Sequence, residues 1–170
     1  LELLYSRRIG KKMPDGSEVP LISGSKVFGR YDNFEYGGFF AITANHDYKI
    51  DDASYNEPEA FYSALRLKKT IFDNSTIGIL YSGKYNKGNH YGVLDIDGAF
   101  RKPEWQLAYQ VARSFKNEEG DYALSVGFKH STPTWLTNIR SRHIGENFDI
   151  NQIGYVPWKG VSNIVALTGP

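Results

Sequence analysis

The sequence predicts an all-β protein built as an antiparallel up-and-down meander, and three observations predict it. Apolar and polar residues alternate with period two in segment after segment, helical spacing fails wherever it is tested, and clusters of Asp, Asn, Gly and Pro punctuate the segments. Aromatic residues make up 15% of the chain, with 12 Tyr and 10 Phe, and 17 glycines are spread along it, a pairing that suits strands with closely packed faces.

The elements follow in order. LISGSKVFGR (21–30) is extended, without assignable faces. FEYGGFFAITA (34–44) sets Tyr36, Phe40 and Ile42 against Glu35, Gly37, Ala41 and Thr43, with Phe39 out of pattern. In FYSALRLKKTI (61–71), Leu65, Leu67 and Ile71 alternate with Arg66, Lys68 and Thr70. TIGILYSGKY (76–85) alternates Ile77, Ile79, Tyr81 and Tyr85 with Thr76, Gly78, Ser82 and Lys84. YGVLDIDGAF (91–100) sets Leu94, Ile96 and Phe100 against Val93, Asp95, Asp97 and Ala99. EWQLAYQVARSF (104–115) sets Trp105, Leu107, Tyr109, Val111 and Phe115 against Gln106, Ala108, Gln110, Ala112 and Ser114. YALSVGFKH (122–130) sets Tyr122, Leu124, Val126 and Phe128 against Ala123, Ser125, Gly127 and Lys129. The expected total is roughly eight strands or fewer.

Successive side chains of a strand point to opposite faces, so each segment has one large apolar side and one small polar side. A soluble sheet dresses its wet face with Lys, Glu and Thr, whereas the second face of 104–115 is Gln, Ala and Ser, which makes the apolar side a candidate outside. The connections alternate too: YDN (31–33), FDNS (72–75) and RKP (101–103) are tight, while 45–59, NKGNH (86–90) and KNEEGD (116–121) are longer and polar. Short turns alternating with longer loops, strands of about ten residues and abundant aromatics are features of outer-membrane barrels. Parity alone leaves a soluble barrel or sandwich with its large residues inside equally open, because it does not say which face is wet.

Composition removes several classes of function. A chain of 170 residues supports one domain, taken as 1–170, a β-barrel domain or a fragment of one, and its start at Leu1 favours the fragment. Net charge is +1 with no basic block, so nucleic acid is not an expected partner. With no cysteine there is no disulfide framework, thiolate zinc site or cysteine nucleophile. No run approaches the roughly 18 apolar residues a spanning helix needs.

Candidate chemistry is sparse. Asp95 and Asp97 share a strand face about 7 Å apart, a spacing open to a glycosidase pair, yet lumen carboxylates opposite Arg66, Lys68 or Lys84 give the same pattern. His46, His90, His130 and His143 are not spaced as a metal motif, no Gly-rich phosphate loop precedes a helix, and no cofactor or metal is expected. Arg7 and Arg8, like Arg140 and Arg142, adjoin Ile-Gly steps or lie near one, where they pair with Glu146 or Asp149 or bind an acidic sugar or lipid phosphate. Trp105, Trp135 and Trp158 read as barrel-rim aromatics before sugar platforms.

Four stretches that do not alternate cleanly decide between the two readings of the faces. Ser6-Arg7-Arg8-Ile9-Gly10, the 22–30 stretch, Arg66-Leu67-Lys68 leading to Asn74-Ser75 and Ile77-Gly78, and Gly145-Glu146-Asn147-Phe148 leading to Gly154-Tyr155-Val156-Pro157 resemble, in order and spacing, the bacterial domain-of-unknown-function family 5916. The resemblance covers nearly the whole chain. It implies the membrane-associated, outer-membrane β-barrel-like C-terminal half of envelope proteins whose N-terminal half is like a family-nine carbohydrate-binding module. The family is longer than this chain, and no established activity comes with it.

The expected protein is therefore part of a bacterial outer-membrane β-barrel with a binding, transport or anchoring role, linked to carbohydrate or to another envelope protein. A soluble barrel or sandwich binding a small apolar ligand, and a membrane-associated glycan hydrolase using Asp95 and Asp97, are the rivals; an enzyme is the lesser expectation. Ile77, Ile79, Tyr81, Trp105, Leu107, Tyr109, Val111, Leu124, Val126 and Phe128 are expected to face lipid. Arg66, Lys68, Lys84, Asp95, Asp97, Gln106 and Gln110 are expected to line the lumen, and Arg7, Arg8, Arg140 and Arg142 are the candidate ligand-binding residues.

Overall fold

The computed structural model describes residues 3, 9–117, 119–156 and 158–170. Among them the strands are β1 (Leu21–Tyr31), β2 (Phe34–Thr43), β3 (His46–Ile50), β4 (Ala53–Glu57), β5 (Ala60–Ile71), β6 (Ser75–Asn86), β7 (Asn89–Arg101), β8 (Trp105–Lys116), β9 (Tyr122–Ser131), β10 (Leu136–Ile144) and β11 (Val161–Gly169). Nine of them form one antiparallel sheet in the order β1-β2-β5-β6-β7-β8-β9-β10-β11, and β3 and β4 leave it as a separate hairpin. Each sheet strand therefore lies beside its neighbour in sequence, apart from the one excursion, and the fold is an all-β antiparallel meander. Among the described residues, β1 and β11 each pair on one side only.

This exceeds the roughly eight strands expected. The 45–59 stretch, read as a polar link, folds into the hairpin β3–β4, with Tyr48 opposite Tyr55 and their rings stacked at 5.7 Å. Its closing turn places Asp51 at φ 53°, a left-handed conformation that Asp tolerates better than most side chains. NKGNH is likewise not a long link. The ladder runs to Asn86↔Asn89, leaving only Lys87 and Gly88, at φ 44° and 81°, as a two-residue hairpin turn.

A meander puts alternate connections at opposite ends of the sheet. Residues 32–33, 72–74, 102–104 and 132–135 lie at one end, here the turn end; the hairpin excursion, the 86–89 turn and the 117–121 and 145–160 links lie at the other, the link end.

The core sits at the link end, on one face. Val93, Ala112 and Ala123 are small side chains on adjacent strands, and their modest volume leaves space over the sheet. Phe148, Ile150, Ile153 and Val156 from the 145–160 link fill that space with Leu3, Ile144 and Leu80. Full burial of an Ile or Phe side chain stabilises by about 1.5–3 kcal/mol, so this short segment is strongly held. Its backbone is tied down as well: Ser114 Oγ accepts from the Asp149 N–H at 3.1 Å, and the Asp121 carboxylate accepts from the Asn147 N–H at 3.0 Å. A second small cluster, Ala41, Ala60 and Tyr62 with Phe39 and Ile9, explains why Phe39 departs from the parity of β2.

Candidate functional site

Directly opposed residues in an antiparallel ladder share a face, so the register sorts every strand position onto one of two surfaces. On the apolar surface, Leu67, Ile79, Ile96, Val111 and Leu124 stand in one continuous row across β5 to β9. All ten residues expected in the apolar band lie on this surface, and among the described residues no segment packs over its aliphatic row: Ile79, Ile96, Val111 and Leu124 are 39–47% exposed.

Aromatic side chains flank the aliphatic row. Tyr85, Phe61, Phe115 and Tyr122 lie toward the link end, and Trp105, Phe100, Tyr109 and Phe128 toward the turn end, with Phe100 stacked on Tyr109 at 6.1 Å. Trp135 sits in the turn between β9 and β10, where its Nε1–H donates to Thr137 Oγ1 at 3.2 Å, and Trp158 lies in the link before β11.

The opposite surface carries most of the charged residues, although Lys69, opposite Ile77, and Arg113, between Leu94 and Tyr122, lie on the apolar one. Lys68 pairs with Glu35 at 3.1 Å across β5 and β2. Arg66 forks onto Asp97, with Nη2 donating to Oδ1 at 2.8 Å and Nη1 donating to Oδ2. The two residues are separated by β6, and Gly78 is what lets them meet. A Cβ there would lie 2.9 Å from the guanidinium carbon of Arg66, so the guanidinium rests on bare backbone. Asp95, 1% exposed, accepts from Gln110 Nε2 at 3.3 Å.

Asp95 and Asp97 thus share a face as expected, but their arrangement does not resemble a glycosidase pair. Such a pair needs two carboxyl groups free to reach a sugar from either side of the scissile bond. Here both oxygens of Asp97 are held by Arg66, and Asp95 is buried.

Lys84 was a candidate partner for the aspartates and is used elsewhere. Only 2% exposed, it donates to Glu57 Oε1 at 3.1 Å and Gln152 Oε1 at 3.0 Å, and its ammonium stands 5.4 Å from the Tyr62 ring centre. Glu57 also pairs with Lys11 at 3.0 Å. Burial works to raise the Glu57 pKa, but hydrogen bonds and charge from Lys11 and Lys84 hold it below its ordinary value. This knot joins the sheet, the β3–β4 hairpin, the N-terminal stretch and the 145–160 segment. The sequence flagged Lys84 alone, because Glu57 and Gln152 fall in stretches without period-two contrast. Asp121, at the same end, is held below the ordinary carboxylate range by backbone N–H donors from Tyr122 and Asn147.

Among the histidines, His90 contacts the Tyr81 hydroxyl at 2.9 Å and His143 Nδ1 contacts Ser162 Oγ at 2.8 Å. His46 Nε2 lies 2.7 Å from Ser17 Oγ, a distance suited to a nucleophile and base. The single hydroxyl proton of Ser17 is directed to Asp15 Oδ1 at 2.6 Å, however, so His46 must donate to Ser17 and does not act as its base.

Arg7 and Arg8 lie outside the described residues. Arg140 and Arg142 are on β10, on the polar surface, opposite Gly127 and Ser125 of β9. Neither pairs with Glu146 or Asp149; Asp149 pairs with Lys159 at 3.2 Å instead. Gln106 and Gln110 share that surface, opposite Lys129 and Ser125. No protein-family model, curated protein or solved structure matches the chain.

Proposed function

We propose that this chain is a segment of a bacterial outer-membrane β-barrel, its apolar surface against lipid and its polar surface toward an aqueous lumen, with a binding, transport or anchoring role at the envelope. The observation that carries the reading is the uncovered row Leu67–Ile79–Ile96–Val111–Leu124, backed on the same strands by Arg66, Asp97, Gln110 and Ser125. In water, an apolar belt crossing five strands is a contiguous patch of the kind monomeric proteins avoid. In a bilayer it is the lipid contact, and the ladder satisfies the backbone polar groups of the strands between β1 and β11, whose outer edges further strands of the barrel would pair.

Two further features support it. The sheet strands are 9 to 13 residues long, against the roughly 9–11 that a tilted strand needs to cross the hydrocarbon. Aromatics flank the aliphatic row at both ends, the order of the interfacial girdles. The motif order resembling family 5916 points the same way and brings a carbohydrate or another envelope protein as the partner served.

Flotation tests this reading. Protein refolded with phosphatidylcholine vesicles should rise with the lipid in a density gradient and stay there after alkaline carbonate washing. A folded, monodisperse monomer that remains in the aqueous fraction would contradict it.

A further inference from the structure

We infer that the polar surface of β8, β9 and β10 is a binding site for a small oxyanion, the phosphate, sulfate or carboxylate group of a ligand up to about monosaccharide size.

The site is built by three rungs of the ladder. Lys129 stands between Gln106 and Asn138, Gly127 between Ala108 and Arg140, and Ser125 between Gln110 and Arg142. The middle rung has almost no side-chain bulk at two of its three positions, and a Cβ on Gly127 would meet nothing within 4 Å. The result is a hollow of about 380 Å³ floored by Ala108 and Gly127 and rimmed by Lys129, Arg140, Arg142 and side-chain amides. That volume lies within the range of small-molecule sites.

Charge supplies the second argument. Toward β2 and β5 to β7 the polar surface neutralises most of its cations, Lys68 with Glu35, Arg66 with Asp97 and Lys84 with Glu57, while Arg101, opposite Gln106 at the turn end, donates to the Asn74 carbonyl at 3.0 Å. On β8 to β11 the same surface carries Lys116, Lys129, Arg140 and Arg142 and not one carboxylate. Among the described residues, Lys129, Arg140 and Arg142 enter no ion pair. Cations gathered in a hollow without counter-charge attract anions into it.

The third observation is geometric. The Nε–H of Arg142 is buried and has no acceptor. A buried donor left unsatisfied is costly, and a guanidinium fork matches the oxygens of a phosphate, sulfate or carboxylate. The amides of Gln106 and Asn138 add neutral hydrogen-bonding groups beside the cations, as a hydroxylated ligand body requires. The site stands whether or not the apolar surface meets lipid, because its cations and amides all lie on the other surface.

The test is calorimetric titration of the intact protein in an uncharged polyoxyethylene detergent, with inorganic phosphate, sulfate, glucuronate and, as the neutral control, glucose. Saturable binding of at least one of the anions, and none of glucose, is expected. Arg140→Gln and Arg142→Gln should each weaken it by about tenfold or more, with strand content unchanged by circular dichroism. Arg142→Lys, which keeps the charge but loses the fork, should weaken it by several-fold, and Lys159→Gln should leave it unchanged. Glucuronate binding tightest would identify an acidic sugar as the ligand class; phosphate or sulfate binding tightest would identify the free oxyanion. Absence of saturable anion binding to the folded protein, or affinities unchanged in both Gln variants, would overturn the inference.

Discussion

Replacing Ile96 by Lys separates a lipid-facing from a water-facing apolar surface by magnitude. Ile96 is on β7 between Ile79 and Val111, 47% exposed, in the middle of the aliphatic row. In water the exchange removes cross-strand contacts worth about 0.2–1 kcal/mol and places the ammonium in solvent at little further cost. Near a bilayer midplane the ammonium adds about 2–4 kcal/mol. Ile96→Ala removes nearly the same packing without the charge, so the difference between the Lys and Ala variants isolates the lipid contribution. Measured by reversible guanidinium unfolding in phosphatidylcholine vesicles, that difference should be about 2–4 kcal/mol. The same comparison at Tyr85, toward the link end, should give about 0–1 kcal/mol, because the penalty falls away near the interface. A difference below about 0.5 kcal/mol at Ile96 in the folded variant would refute the reasoning.

Three further outcomes are expected. Gly78→Ala should displace the Arg66 guanidinium from Asp97 and destabilise by about 1–3 kcal/mol, and its cost should largely vanish in an Arg66→Ala background when the two are measured as a double-mutant cycle. Phe148→Ala should cost about 3–5 kcal/mol in denaturant unfolding, and limited proteolysis should cut first within 145–160. Glu57 has a folded pKa below its ordinary 4.5, so it contributes stability above that pH, and the contribution is lost as pH falls through the lower folded value. Hydrogen exchange of the 46–57 hairpin should accelerate over that acidic window in the wild type, and Glu57→Gln should show fast exchange without the acid dependence.

Strands β2 and β5 to β9 were legible in the sequence because their two faces meet different surroundings, one large and apolar, the other small and polar. Where that contrast fails, so does the reading. β11 places Ile164 on one surface and Val165 and Leu167 on the other, and β1 places Val27 and Phe28 on opposite surfaces, leaving no parity to assign. The hairpin in 45–59 was hidden by its polarity, its one signal being Tyr48 and Tyr55 placed symmetrically about the Asp51–Asp52 turn. In the 145–160 segment the buried apolar residues fall at 148, 150, 153 and 156, a spacing set by the pits above Val93, Ala112 and Ala123 and by no regular element.

The polar surface was legible residue by residue but not in its pairings. Parity placed Arg66, Asp95 and Asp97 together; the reach of Arg66 over Gly78 depends on strand register, which no single segment encodes. The unpaired state of Arg140 and Arg142 depends in the same way on where Asp149 goes, and its backbone is held by Ser114 while its carboxylate meets Lys159.

The account stands or falls on what touches the apolar surface, and spin-label accessibility measures that directly. The chain has no cysteine, so single cysteines can be introduced at Ile96 and Leu124 on the apolar surface and at Gln106 and Ser125 on the polar one. In reconstituted vesicles, labels at Ile96 and Leu124 should collide freely with oxygen, which dissolves in lipid, and poorly with a water-soluble nickel chelate, while labels at Gln106 and Ser125 should show the reverse. Nickel collisions at Ile96 and Leu124 as frequent as those at Gln106 and Ser125 would contradict it.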